Sequence, residues 1–106
     1  MKDLSLTNIN TKLLEIADKY STRYPEFVKV REEYNEIWGK LMMKALDSFT
    51  NQTIRDTVVS QQMKTSYLEL YVRYNSLVVE IHILDKTEKI LQQISRNLIS
   101  QNFGNE

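Results

Sequence analysis

Cysteine is absent from the 106 residues, so disulfides and thiolate metal ligands are excluded. Histidine occurs once, as His82. A zinc site would need companions that one histidine and no cysteine cannot supply. A general base there would need a nucleophile and an orienting carboxylate, and no motif pairs His82 with either. His82 therefore reads as a polar or interface residue on a helix. The only glycines are Gly39 and Gly104, each alone, which excludes Gly-rich phosphate loops and the EF-hand turn. Acidic residues do cluster, as in Glu32, Glu33 and Glu36 or Asp85 and Glu88. The Glu-x-x-His pattern of carboxylate-bridged metal bundles is nevertheless missing. No catalytic residue, cofactor site or metal site is expected, and the chain reads as non-enzymatic.

Proline is equally scarce, with Pro25 alone. So few turn formers in a chain 42% hydrophobic and 26% charged point to few, long elements of one domain. Neither sign of charge is in excess: residues 1–53 carry eight basic and eight acidic side chains, and residues 54–106 carry six of each. A surface for nucleic acid or anionic lipid usually shows a cationic block, because affinity comes largely from displaced counterions. The most apolar window, 67–84, includes Glu69, Arg73, Glu80 and His82, which argues against a membrane span. The N-terminal MKDLSLTNINTK has no apolar core of signal length, so a cytoplasmic or intravirion location is expected. Two Ala beside nine Lys and eight Asn suggest AT-rich coding, as in phages and small-genome bacteria.

What the chain does have is one long apolar stretch. Threes and fours from Tyr67 give Leu70, Tyr74, Leu77, Ile81, Leu84, Glu88, Leu91, Ser95 and Leu98, eight of the ten positions apolar. That is the spacing of a helix packed along a seam. A second set off the seam (Leu68, Tyr71, Val72, Val78, Val79 and Ile83) makes the helix apolar on more of its circumference than one neighbour covers. It should be a central helix with more than one partner.

Around it the chain divides into a leader at 1–9, helices at 10–24 and 26–49, a long helix at 54–100 and a tail at 101–106. Leu4 and Leu6 are available to dock, and Asn8, Asn10 or Thr11 is expected to cap the first helix. That helix carries Leu13, Ile16, Ala17, Tyr20 and Tyr24 on one face and ends at Pro25, in a tight corner or a kink. The second carries Phe27, Val30, Tyr34, Ile37 and Leu41, with Gly39 beside Trp38 leaving room for a close neighbour. Residues 48–52 form a connection. Thr53 with Asp56 is expected to cap the long helix, and Ser66 with Glu69 and the Asp85–Glu88 spacing mark breaks near 65 or 85. Gly104 is expected to terminate the last helix. The fold class is all-α: a long helical hairpin, or a three- to four-helix bundle, completed by self-association.

The function expected by elimination is protein interaction, by a self-assembling accessory or structural factor or by an inhibitor of a larger protein. The expected interface is Tyr67, Leu70, Tyr71, Tyr74, Leu77, Val78 and Ile81, with Trp38 and Met42 opposite. The partner is another copy, a larger protein, or both, and no membrane. The alternative is an oligomeric nucleic-acid accessory protein, stacking unpaired bases on Tyr24 and Tyr74 beside Arg23 and Arg73. Against it, all six Tyr fall on or near the apolar stripes, where a ring packs and its hydroxyl reaches the rim.

Overall fold

The computed structural model describes residues 5–104, with side chains as far as Gln101, so Leu4 lies outside the described residues. The fold is all-α, of the helical hairpin or bundle kind. Three helices, α1 (Leu6–Ser48), α2 (Gln52–Ser66) and α3 (Leu68–Gly104), account for the regular structure, and no strand occurs among the described residues. Residues 49–51 join α1 to α2. The described chain packs as two units: Met1–Tyr24 with Val79–Glu106 (the terminal unit), and Pro25–Val78 (the central unit).

Several boundaries differ from those the sequence predicts. The first helix begins at Leu6, where Ser5 Oγ accepts from the Asn8 N–H at 3.3 Å; Asn8, Asn10 and Thr11 lie inside it. It then continues through Pro25 to Ser48. An interior proline removes one backbone bond and costs about 3 kcal/mol. The apolar positions keep their helical spacing on both sides of it, so packing of the flanking turns outweighs the local preference. The cap of α2 is Asn51, whose side chain accepts from the Ile54 N–H at 3.2 Å. Thr53 is inside the helix, its carbonyl accepting from Thr57 Oγ1 at 2.8 Å, and Asp56 accepts from Gln52 Nε2 at 2.9 Å. Of the two expected breaks, one exists. Tyr67 leaves helical geometry (φ −129°, ψ 39°), while its N–H still reaches the Met63 carbonyl at 3.2 Å and its carbonyl accepts from Tyr71 at 2.9 Å. Near 85 the helix is unbroken: Asp85 bridges Lys89 at 3.0 Å, and Glu88 accepts from Gln92 at 3.2 Å. The expected polar tail is helical to Gly104, the last residue of α3.

In the terminal unit α1 and α3 run antiparallel. Arg23 Nε meets Glu80 Oε1 at 3.0 Å, and earlier residues of α1 face later ones of α3. Ile9, Ile16, Leu84 and Leu91 form the core there, with Leu13, Tyr20, Ile94 and Leu98 packed on it. In the central unit α2 folds back on α1 through Leu41, Ala45, Val59 and Met63. The start of α3 continues along α1, where Arg73 Nη2 meets Glu26 Oε1 at 3.2 Å. No buried polar or charged side chain occurs among the described residues, so burial of apolar surface holds each unit together.

Gly39 does not serve a close approach: nothing lies within 4 Å of a Cβ built there. Its presence mid-helix costs backbone entropy and gains no contact. Gly39→Ala should stabilise the protein by about 0.5–1 kcal/mol, raising the thermal midpoint by a few degrees. A circular dichroism melt checks this, and a lowered midpoint would show that a neighbour needs the space.

Candidate protein-interaction surfaces

Most of the seam expected to bind a partner is occupied within the chain. Leu77 is buried, and Trp38, Met42, Leu70 and Tyr71 pack, half-buried, on the central core. Tyr74 stacks on Tyr34, ring centroids 4.2 Å apart, and on Phe27 at 6.2 Å; Tyr34 stacks in turn on Trp38 at 6.2 Å. Arg31 lies 5.1 Å above the Phe27 ring, and Lys64 5.9 Å from that of Tyr71. Ile81 is half-buried, while Tyr67 and Val78 reach the surface.

Burial pushes the Tyr34 phenol above its ordinary value of 10.0, and the neighbouring Tyr71 and Tyr74 push the same way. The folded protein therefore holds this proton more tightly than the unfolded chain does. The stability it contributes is present below the unfolded value and is lost as pH rises through the folded one. The thermal midpoint should fall above pH 10.0, and Tyr34→Phe should reduce that fall. An equal slope in the variant would remove Tyr34 as a cause.

The four residues expected to meet nucleic acid are also engaged. Arg23 is paired with Glu80 and Arg73 with Glu26, while Tyr24 stacks on Tyr20 at 5.2 Å and Tyr74 on Tyr34. His82 is exposed, and among the described residues no group of three or more His, Asp or Glu could hold a metal ion. No helix among them is long and apolar enough to cross a membrane.

Apart from Val78, the apolar surface left to solvent on α3 lies outside the expected interface. In the central unit Leu68 and Val72 are exposed. In the terminal unit Val79 is 57%, Ile83 57% and Ile90 60% exposed, although Leu84 and Leu91 on the same helix are buried. At 3.6 residues per turn Val79, Ile83 and Ile90 fall within about 40° of one another, and Leu84 and Leu91 lie roughly 100° further round. One apolar face is covered by α1, and the other is bare. A signal for the bare face of the terminal unit was present in the spacing of Val79, Ile83 and Ile90, which step by four and seven. The richer seam obscured it. Beside Ile90 a groove of about 400 Å³ opens between α1 and α3, floored by Ile16 and Leu91 and edged by Lys12, Glu15 and Lys19.

Other exposed apolar side chains of the central unit lie near the α1–α2 link: Met43, Leu46, Phe49 and Ile54. Arg55 Nε ties that link by donating to the Phe49 carbonyl at 2.6 Å.

The chain is thus an all-α protein defined by its bare apolar helix faces. No family model, no curated protein and no solved structure matches it.

Proposed function

We propose that this is a non-enzymatic protein-interaction protein, a small helical accessory or structural factor that self-assembles or inhibits a larger protein. The observation that supports this reading most directly is the bare face of α3, where Val79, Ile83 and Ile90 are each more than half exposed. Single exposed apolar residues are ordinary, but a row on the back of a core helix is the form that helix-to-helix recognition takes. The engagement of Arg23, Tyr24, Arg73 and Tyr74 inside the chain favours this reading over base stacking. The cysteine-free composition fits work in the cytoplasm, and the AT-rich residue usage suggests a phage-encoded chain acting in its host or virion.

Light scattering across a concentration series is the first test. A mass that rises above that of one chain with concentration is the result expected of self-assembly. A monomer at every concentration leaves only the foreign-partner form of the proposal. A monomer that also binds neither a Glu-flanked nor a Lys-flanked amphipathic helix would overturn it.

A further inference from the structure

We propose that the terminal unit docks an amphipathic helix of another protein, one whose apolar face is flanked by Asp and Glu. This rests on the interaction reading and names the partner's chemistry. The apolar part of the surface is Val79, Ile83 and Ile90, continuous through Ile90 and Ile94 with the groove between α1 and α3. An incoming helix fits such a groove with anchors at i, i+4 and i+7.

Charge selects the partner. Lys86 falls in the same row, three residues after Ile83 and four before Ile90, while Lys89 and Arg96 follow along one flank. Lys12 and Lys19 edge the groove on the other flank. The acids nearby are Glu15, in the groove wall, Glu80, bridged to Arg23, and Asp85, whose bridge to Lys89 offsets both charges. The surface is therefore apolar along its middle and, beyond those two bridged pairs, carries more basic than acidic side chains at its edges, although the whole chain is neutral. Acidic flanks on the partner complement it and steer the encounter.

The same charges disfavour a second copy on this face. The antiparallel register that sets Val79 against Ile94 and Ile83 against Ile90 is centred between Lys86 and Thr87. It brings Lys86 of one copy beside Lys86 of the other, and like charges in an apolar contact are costly. A bilayer surface, the other acidic target of a basic amphipathic face, offers no ridge to fill the groove floored by Ile16 and Leu91.

The test uses the full chain and two fluorescein-labelled synthetic helices of the same Leu spacing, one flanked by Glu and one by Lys. Fluorescence anisotropy should show binding of the Glu-flanked helix, weakened at least tenfold between low and high salt. Ile90→Ser should weaken it at least tenfold, and the double variant Lys86→Glu, Lys89→Glu should shift preference toward the Lys-flanked helix. All three positions are exposed, so circular dichroism should show the variants folded. Equal binding of both helices by the unaltered chain would overturn the proposal. So would sedimentation with phosphatidylserine vesicles without binding of the Glu-flanked helix. If neither helix binds while the mass rises with concentration, this inference fails and the interaction reading stands. If neither binds and the chain stays monomeric, both fail.

Discussion

Leu77→Asp should abolish cooperative folding near room temperature. Leu77 is 5% exposed, on the face of α3 that the central unit covers. The change removes the burial of a leucine, about 2–3 kcal/mol, and places a carboxylate where water cannot reach it. A buried charge with no partner costs several kcal/mol more. Together these approach the whole stability of an ordinary small domain, about 5–15 kcal/mol. The companion variant Val79→Asp, two residues on but 57% exposed, should change stability by no more than about 0.5 kcal/mol. Urea unfolding of the two variants reads the contrast. Equal midpoints would mean that the covered and bare faces of α3 are assigned wrongly.

Met63→Ala should cost about 2–5 kcal/mol, a fall of roughly 10 °C or more in the thermal midpoint. Met63 is fully buried with Val59, against Leu41 and Ala45 of α1. It is one of only two buried residues of α2, whose remaining positions are largely polar. Truncating it leaves a cavity beside Ala45, whose small side chain cannot reach across to fill it. A loss below about 1 kcal/mol would show that α2 contributes little to the core. Calorimetry gives the value directly.

Much of the helical content was legible in the sequence. The three-four steps of Leu13, Ile16 and Tyr20, of Val30, Tyr34, Ile37 and Leu41, and of Leu77, Ile81 and Leu84 each mark a face the structure covers. The irregularity near 65 was legible too, because the polar run 60–65 and the Ser66–Glu69 spacing weaken the helix there. The structure places it at Tyr67, and among the described residues Ser66 and Glu69 do not form the reciprocal capping bonds. Pro25 and the Asp85–Glu88 pair misled, as the first is a strong local signal for a helix end and the second for a new helix start. The sequence masks Asn51 as the cap, because Thr53 with Asp56 offers a more complete capping pattern two residues later.

The candidate site was less legible than the fold. Periodicity showed that the last helix is apolar on more than one side, and it expected the fuller side, including Tyr74, Leu77 and Ile81, to meet a partner. Within the chain that side packs on α1, and the thinner row of Val79, Ile83 and Ile90 remains bare. By itself, then, the sequence determined an all-α chain of few, long helices with more apolar surface than one neighbour can bury, because helical period and turn-former scarcity are local properties of residue order. Only the tertiary structure decided that α1 runs on through Pro25, that Asn51 caps α2, and which face of α3 stays exposed. Those outcomes depend on contacts between segments distant in the chain, where gains from packing outweigh local preferences of a few kcal/mol.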